Sequence, residues 1–383
     1  MDHRPALLYL APNLWDGSRQ RAQHLASGLA RTRPVVFVEP TAYSFNGTLR
    51  RRLTGRRTVP LRGRATRFGE RLLVFGPVPS LPFSLHLRGL NRLAHHLSWL
   101  QLRRLLGQLG GRELDVVVGW PPALELARQL RPRRLVYDCM DLFPAFPQPG
   151  PARATMAALE AELVDAAWAV VVSSRALERR WADRHSRVVR IPNGVELDRF
   201  LTGEIRPEPA DMAGLPRPRL GYIGTIGRWI DLPLLDHLAR SRPDWSVVVI
   251  GPLDQVHPPP HRPPNLHLLG ERAYPQIPAY LAALDALLIP FRLSDLTQAV
   301  NPIKLYEYCA SGKPIAATPI EEVAVTGDLC HLGQGPGEFM AAAEAALAEA
   351  AQPNPVRVAA REALARSSSW DRRVSAFSAL LDA

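Results

Sequence analysis

Lysine is nearly absent from this sequence. Of the 47 basic residues two, Lys304 and Lys313, are lysines, and both lie in one short segment. Acidic residues number 36, so the formal net charge is +11 and nearly all of the positive charge is arginine. Such an excess predicts an acidic partner or an anionic surface, and the segment that holds both lysines calls for closer study.

Cysteines and long apolar runs are also scarce. Cys139, Cys309 and Cys330 are too few and too scattered for a disulfide framework or a zinc site, so we expect a reduced, intracellular protein with no bound metal. No apolar stretch approaches roughly 18 residues without a charge, which argues against a membrane-spanning helix. The apolar start at 6–11 turns directly into polar sequence, which favours a first strand over a signal peptide.

The chain instead alternates short apolar runs with longer amphipathic segments, and its 383 residues suit two domains. This alternation predicts α/β domains with parallel sheets covered on both faces. A proline-rich stretch at 202–219 is typical of a linker. Strands are predicted at 6–11, 35–39, 115–120, 134–138, 169–173, 188–192, 219–224, 245–251, 265–270, 286–291 and 314–318. Helices are predicted at 18–31, 152–168, 175–184, 232–241, 275–284, 302–311, 336–351 and 370–382.

The segment NPIKLYEYCASGKP, residues 301–314, carries the most chemistry. Asn301 suits an N-cap with a proline at the first helical position, and Gly312 suits the C-terminal stop. The amino end of the predicted helix is an anion site, and Lys304 in its first turn makes sense if an anion lies beside it. Glu307 shares a face with Lys304 and could accept hydrogen bonds from a vicinal diol. The alternative is a surface Lys–Glu pair on a well-capped helix.

The segments PNGVELDRF (192–200), GYIGTIGRWIDLPLL (221–235), IGP (250–252) and NPIKLYEYCASGKPIAAT (301–318) resemble glycosyltransferase family 4. SRQRAQHLASGLA (18–30) and YDCMDLFPAF (137–146) resemble its branch from bacterial cell-surface polysaccharide clusters. The resemblance implies the GT-B fold, with two Rossmann-like domains facing across a cleft and a C-terminal helix packing back on the first. It further implies an acceptor-side domain over 1–198, a nucleotide-sugar domain over 199–365 and the returning helix over 366–383.

The resemblance also assigns roles in donor binding. Glu307 matches the glutamate that binds the nucleotide ribose, and Lys304 and Asn301 lie where donor recognition is expected. Gly224 matches a glycine that lets backbone approach the diphosphate, and Arg228 lies near the family's phosphate-binding arginine. The alternative for Arg228 is a solvated loop arginine.

The sequence departs from the family pattern at three places. Ala299 stands where a second glutamate belongs, Leu234 where a lysine is expected, and Met140 near the place of a histidine. Contacts to the donor sugar must therefore come from elsewhere, and Thr297, Asn301 or backbone amides are the candidates.

Two aspartates in the first half are candidate catalytic groups. Asp138 and Asp141 follow a predicted strand, so they should lie at its carboxyl end, where a carboxylate can orient or deprotonate an acceptor hydroxyl. They could equally be turn or capping residues. The turn between the first strand and helix is expected to meet donor phosphates or acceptor. Its charged residues are Asp16, Arg19, Arg21 and His24, and a lone histidine such as His24 is more often an ordinary surface residue.

The stretch 49–71 holds nine arginines and one acid, and the leucine-rich segment 78–106 follows it. This neighbourhood suggests an anionic membrane surface, contacted through Arg50, Arg51, Arg52, Arg56 and Arg57. Nucleic acid is the competing partner, but we expect none because no nucleic-acid module is present. A solvated basic face is the simplest alternative.

Together these features predict a glycosyltransferase that moves a hexose-type sugar from a UDP-sugar or GDP-sugar to a glycan or lipid-linked acceptor. Retention, the absence of a cofactor or metal, and a cytoplasmic location at the inner membrane face are expected. Two alternatives stay open: a GT-B epimerase acting on nucleotide-sugars, which the basic apolar segment disfavours, and a non-catalytic nucleotide-sugar-binding protein, which Ala299 would suit.

Overall fold

The chain folds into two compact units in a computed structural model. The first unit comprises Met1–Pro192 with Arg373–Ala383, and the second comprises Asn193–Arg372. The arginines proposed to meet a membrane, Arg50 to Arg57, lie outside the described residues. The structure describes residues 4–40, 63–76, 81, 84–107, 113–146, 148–201, 206–258 and 261–383.

An eight-stranded sheet forms the centre of the first unit. Its strands are β1 (Ala6–Leu10), β2 (Val35–Val38), β3 (Arg64–Phe68), β4 (Leu72–Gly76), β5 (Leu114–Val118), β6 (Arg134–Cys139), β7 (Ala169–Val172) and β8 (Val188–Arg190). Their order is β3-β4-β2-β1-β5-β6-β7-β8, and every pair is parallel except β3–β4. The central strands are buried on both faces, which explains their continuous apolar sequences.

In the described part of this unit, five helices connect the strands. They are α1 (Arg21–Leu29), α2 (Arg88–Leu106), α3 (Leu124–Leu130), α4 (Gly150–Ala166) and α5 (Arg175–Ala182). The amphipathic pattern of the first predicted helix is confirmed, because Ala22, Leu25, Ala26 and Leu29 pack into the core beneath β1 and β2.

The antiparallel pair β3–β4 was not predicted. Its first strand lies within the arginine-rich stretch, and Arg64 and Arg67 are exposed on it. The arginines hide the alternation that signals a strand; the detectable signals are the apolar run Leu72–Gly76 and the turn at Gly69, which has a φ of 75°. Charged side chains on an edge strand discourage further strand pairing.

A six-stranded, wholly parallel sheet forms the centre of the second unit. Its strands are β9 (Arg219–Ile223), β10 (Ser246–Ile250), β11 (Leu266–Gly270), β12 (Ala286–Ile289), β13 (Ile315–Ala317) and β14 (His331–Leu332). The order β11-β10-β9-β12-β13-β14 is that of a nucleotide-binding Rossmann sheet. The predicted strands are confirmed, and the two-residue β14 was not predicted.

Nine helices follow Asn193 among the residues that the structure describes, and the last of them passes into the first unit. They are α6 (Leu197–Phe200), α7 (Leu232–Ser241), α8 (Ile277–Ala283), α9 (Asp295–Gln298), α10 (Ile303–Ala310), α11 (Glu321–Ala324), α12 (Gly335–Ala351), α13 (Pro355–Ser367) and α14 (Trp370–Asp382). Helix α7 has the predicted bounds, since Asp231 caps it by accepting from the Leu234 amide at 3.2 Å.

The segment before β9, predicted as a linker, is part of the second unit. Met212 is fully buried in its core, and Asp211 accepts hydrogen bonds from Tyr280 at 2.9 Å and Arg272 at 2.5 Å. The prolines of this segment suit a linker, but the anchoring depends on partners far along the chain.

The end of α14 belongs to the first unit, as the returning helix was expected to. Phe377 and Leu381 are fully buried in the core beneath β1 and β2. Arg33 is also fully buried and donates to Asp382 at 2.6 Å and to Ser378 at 3.2 Å.

Candidate functional site

The sheet of the second unit reverses its winding direction between β9 and β12. Ligands of open parallel sheets bind at such a point, beside the carboxyl ends of the strands. Here the loop after β9 and the amino end of α10 meet, and these carry Gly224, Arg228, Lys304 and Glu307.

Backbone packs very closely in the loop after β9. The Gly224 amide donates to the carbonyl of Ile250 at 2.8 Å, and a Cβ on Gly251 would stand 1.9 Å from the Gly224 oxygen. Gly251 also has a φ of 147°, in the region that favours glycine. A Cβ on Gly224 itself would lie 3.3 Å from the Cε of Lys304. The two glycines therefore bring backbone directly beneath the lysine.

Lys304 and Glu307 form the ion pair that their spacing predicts. The Lys304 ammonium lies 2.6 Å from Oε2 of Glu307, and the glutamate is 2% exposed. Its other oxygen, Oε1, accepts no hydrogen bond within the described part of the chain, so it can still receive a hydroxyl group. A buried carboxylate held by a lysine at a helix amino end can bind a diol and leave the cation facing an anion.

Asn301 does not cap α10; that prediction is wrong. The cap position is Pro302, and the Asn301 side chain turns inward to donate to Tyr306 at 2.9 Å and to Glu322 at 3.1 Å. Its oxygen accepts from the Asn193 amide at 2.8 Å, and its carbonyl accepts from the Asn193 side chain at 2.6 Å. Asn301 thus fixes the approach to α10. The predicted stop at Gly312 is confirmed, with a φ of 67°.

Tyr308 was not among the predicted site residues. Its hydroxyl accepts from the Ile223 amide at 2.8 Å, so it ties α10 to the end of β9, next to Gly224. The ring is fully buried, and that burial raises the pKa of the hydroxyl well above its usual value. Tyrosine one position after the site glutamate is the sequence signal that could have found it.

The remaining candidates for donor binding differ in exposure and in the contacts that their side chains make. Arg228 is exposed and makes no hydrogen bond or ion pair with the described residues, so it can meet a phosphate. Arg292 lies beside the same loop, its amide donating to the Trp229 carbonyl at 2.8 Å. Thr297 is buried, and its hydroxyl donates to the Arg292 carbonyl and accepts from the amide of Ser294, the N-cap of α9, at 3.0 Å. The structure therefore gives Thr297 a local structural contact.

Asp138 forms a buried cluster in the first unit. Its carboxylate accepts from Arg21 Nε at 2.9 Å and Nη2 at 2.8 Å and also from the Tyr9 hydroxyl. Arg21 in turn donates to the Ile191 carbonyl at 2.8 Å, and both Asp138 and Arg21 are buried. A carboxylate so fully occupied has little capacity to accept a substrate proton, so these contacts favour the structural alternative for Asp138 and Arg21.

Asp141 has a different environment from Asp138. It is half-buried at the end of β6, and burial raises its pKa to about 7, while Arg21 lowers it and Asp138 raises it. A carboxyl group that titrates near neutrality can exchange a proton with a substrate hydroxyl. Asp141 is therefore the better candidate of the two aspartates.

The other predicted residues of the first strand–helix turn differ in their exposure. Asp16 is exposed, Arg19 donates to Ser27 at 3.5 Å, and His24 is buried on α1. Burial raises the pKa of Glu39, which accepts from the Trp15 amide at 2.8 Å in this turn.

A group of aromatic residues, partly in the loop that follows Asp141, was not among the predicted site residues. Trp120 and Phe143 contact edge to face at 5.2 Å, and Phe146 stacks on Phe143 at 6.3 Å. Trp120 and Phe146 are half-buried, which leaves part of each ring available. Aromatic faces next to a carboxyl group suit a sugar or apolar acceptor.

The three cysteines are free and buried. Across the described ranges no cluster of three or more His, Cys, Asp or Glu side chains could hold a metal ion. No helix in that part of the chain has the length and apolarity needed to cross a membrane.

These two units define the class. Each has a mainly parallel sheet covered by helices, and the chain matches the GT-B glycosyltransferases in fold. Residues 217–351 match the family model described as glycosyl transferases group 1. The fold is therefore that of the GT-B glycosyltransferases, and the family match covers part of the second unit. Membership of family 4 stays a prediction.

Three individual proteins illustrate the likeness. A Bacillus subtilis strain 168 protein named as a teichuronic acid biosynthesis glycosyltransferase, TuaH, is 26% identical over 263 residues, which are 62% of this chain and 64% of that protein. Sucrose-phosphate synthase from Thermosynechococcus elongatus is 15% identical, with a TM-score of 0.72 and 98% of each chain covered. Anabaena HepE, solved with UDP and glucose, is 16% identical, with a TM-score of 0.64 over 100% of both chains.

Proposed function

We propose that this protein transfers a sugar from a nucleoside diphosphate sugar to a hydroxyl group of a glycan or lipid-linked acceptor. The observation that carries the proposal is the pairing of Lys304 with the buried Glu307 at the amino end of α10, beside Gly224. This arrangement offers a carboxylate oxygen to a ribose diol and cations to a diphosphate at one sheet edge.

Each group has a separate part in donor binding. Glu307 accepts the ribose hydroxyls, Lys304 and Arg228 bind the diphosphate, and the close backbone at Gly224 lets amides approach it. A UDP-sugar is the preferred donor, since HepE was solved with UDP and glucose, and a GDP-sugar is the alternative.

The chemistry proceeds with retention at the sugar's anomeric carbon. The bond from that carbon to the donor phosphate breaks while a bond to the acceptor oxygen forms on the same face. The acceptor's proton passes to the leaving phosphate oxygen, so no protein base is required. Asp141 orients the acceptor hydroxyl, and Trp120 and Phe146 offer it an apolar surface.

The biological setting follows from the kind of acceptor. TuaH is named for teichuronic acid biosynthesis, and we propose bacterial surface polysaccharide synthesis at the cytoplasmic face of the membrane for this chain. The arginines that first suggested a membrane lie outside the described residues. The likeness to TuaH supports the membrane setting instead.

Nucleotide binding tests the donor site. Calorimetry with UDP and GDP should show that Glu307→Gln weakens the preferred nucleotide about ten- to a hundred-fold, because a charge-assisted hydrogen bond contributes about 1.5–3 kcal/mol. The loss should disappear with the 2′,3′-dideoxy nucleotide, which has no diol. Glu344→Gln, on an exposed glutamate of α12, is the matched control. If Glu307→Gln weakened the binding of the ordinary nucleotide and of its 2′,3′-dideoxy form equally, the ribose role of Glu307 would be contradicted.

Turnover separates transfer from its alternatives. With labelled UDP-sugars and a membrane extract, nucleoside diphosphate release should depend on acceptor, and the product linkage should keep the donor's anomeric configuration. Epimer formation without acceptor would show an epimerase, and nucleotide binding without any turnover would show a binding protein.

A further inference from the structure

Helix α2 exposes the wrong side chains for a helix that faces water. Its buried positions include the polar residues Asn91, His95 and Ser98. Its outward positions include Leu93, 48% exposed, and Leu97, 42% exposed. A surface helix of a globular protein normally shows the reverse distribution, so this outer face requires an apolar partner.

The buried side of α2 confirms that the orientation is fixed. Asn91 donates to the Pro122 carbonyl at 3.1 Å, and Arg88 and Arg92 each reach Glu125 at 3.2 Å. Arg88 also pairs with Glu162 at 2.5 Å. His95 is 2% exposed, and burial lowers its pKa to about 4, so it is a neutral group in the packing. The helix cannot rotate its leucines inward without breaking these contacts.

The exposed leucines and two half-buried ones, Leu90 and Leu100, form a continuous stripe. Leu90, Leu93, Leu97 and Leu100 recur at intervals of three and four residues, which places them on one face. Leu87, just before the helix, is 57% exposed at the start of this stripe. The spacing makes a ridge about three turns long.

Basic and aromatic groups border the ridge at its carboxyl end. The Arg103 guanidinium lies over the Trp99 ring at 5.3 Å, and His96 stacks on the same ring at 5.5 Å. Arg103 and Arg104 are exposed and form no ion pair with any residue that the structure describes. The 19 residues of the helix include no acidic side chain.

We propose that the outer face of α2, with Leu93 and Leu97 at its centre and Arg103 and Arg104 at its edge, docks on an anionic lipid bilayer. The leucines enter the apolar boundary of the bilayer, the indole of Trp99 lies at the headgroup level, and the arginines meet lipid phosphates. This inference does not depend on sugar transfer, because it concerns a surface of the first unit that carries none of the proposed donor residues.

The charges favour a bilayer over the other occupants. A second copy of the chain meeting this face symmetrically would place arginine against arginine with no acid to neutralise it. Nucleic acid would meet the arginines but would leave the leucines in water. An anionic bilayer offers an apolar interior to the leucines and negative charge to the arginines.

Flotation of the full chain with vesicles tests the proposal. Vesicles of phosphatidylcholine with three parts in ten phosphatidylglycerol should bind the protein, whereas pure phosphatidylcholine should bind it weakly. Leu93→Gln with Leu97→Gln should lower binding at least ten-fold. Arg103→Gln with Arg104→Gln should lower it about 25-fold at low salt, roughly five-fold per arginine, and little at about 1 M salt.

Matched double variants in other places serve as controls. Leu332→Gln with Val356→Gln replaces two exposed apolar residues of the second unit, and Arg153→Gln with Arg262→Gln removes the same charge from other exposed sites. Both should bind like the unmodified protein, and circular dichroism should show all variants folded. Equal binding by the Leu93/Leu97 variant and its control would overturn the proposal. A change of oligomeric state in that variant, without vesicle binding by the unmodified protein, would overturn it too and identify a self-association surface.

Discussion

Two carboxyl groups three residues apart illustrate how strongly local contacts decide the role of a side chain. Asp138 has its oxygens occupied by Arg21 and Tyr9 inside the first unit. Asp141 lies half-buried beyond the end of the strand, without such a partner in its own loop, and burial raises its pKa to about 7. The same residue type therefore serves as a buried ion pair in one position and as a group able to exchange a proton in the other.

Asp141 should make the stability of the protein depend on pH. An unfolded aspartate titrates near pH 4, so between about pH 4 and 7 the folded chain holds a proton that the unfolded chain has released. Stability from this group is full below about pH 4 and falls as the pH rises to 7, by at most about 4 kcal/mol. Denaturant unfolding of Asp141→Asn should be less dependent on pH in this window, and the variant should be the more stable protein at pH 8.

Asp183→Asn is the control for Asp141→Asn, because the Asp183 side chain is exposed to solvent. Asp138→Asn should instead destabilise the first unit by about 3–5 kcal/mol, since it leaves Arg21 buried without its charge partner. Identical pH profiles for Asp141→Asn and the unmodified protein would show that Asp141 remains ionised in the folded chain.

At the scale of elements, the proposed donor site depends on the contact between the loop after β9 and the loop after β10. Gly224 and Gly251 pack backbone to backbone, and Tyr308 ties α10 to the end of β9. The contact between Gly224 and Gly251 involves backbone atoms only. A substitution that adds a Cβ would therefore disrupt it.

Gly251→Ala should therefore impair nucleotide binding and stability together. The new Cβ would collide with the Gly224 carbonyl, and a φ of 147° is unfavourable for alanine. We expect a loss of about 2 kcal/mol or more in the free energy of unfolding of the second unit. Thermal unfolding and titration with UDP measure the two effects.

Gly89→Ala is the control for the glycine variant. Gly89 lies in α2 with open space around it, so alanine should leave stability unchanged or raise it by up to about 1 kcal/mol. Nucleotide affinity in Gly251→Ala equal to that of the unmodified protein would show that this loop is not part of the donor site.

At the scale of the whole molecule, the last residues complete the core of the first unit. Phe377 and Leu381 lie beneath β1 and β2, and Arg33 holds Asp382 from a fully buried position. The first unit is therefore assembled from the two ends of the chain, with the second unit between them in sequence.

Phe377→Ala should destabilise the first unit by about 3–5 kcal/mol, because it removes a fully buried aromatic ring. Hydrogen exchange should show lost protection in β1, β2 and β5 and unchanged protection in β9 to β14. Val356→Ala, 77% exposed, is the control and should change neither unit. An equal loss of protection in both sheets would show that the units unfold as one.

Much of this architecture could be predicted because each element is encoded locally. The buried parallel strands read as short apolar runs, α7 has its cap at Asp231, and α10 stops at Gly312. The pair β3–β4 could not be predicted, since arginines on an exposed edge strand mask the alternation on which strand prediction depends. The linker prediction failed at Met212 because burial there depends on residues far along the chain.

The sequence by itself determined the two α/β units, the face that Lys304 and Glu307 share and the helix stop at Gly312, because these follow from spacing and backbone freedom within a few residues. The tertiary structure alone decided that Asn301 holds Asn193 and Glu322 instead of capping a helix, that Asp138 is buried against Arg21, and that α2 turns its leucines outward. Each of these depends on partners that are distant in sequence, and hydrogen-bonding capacity or apolarity alone does not specify which partner a side chain will meet.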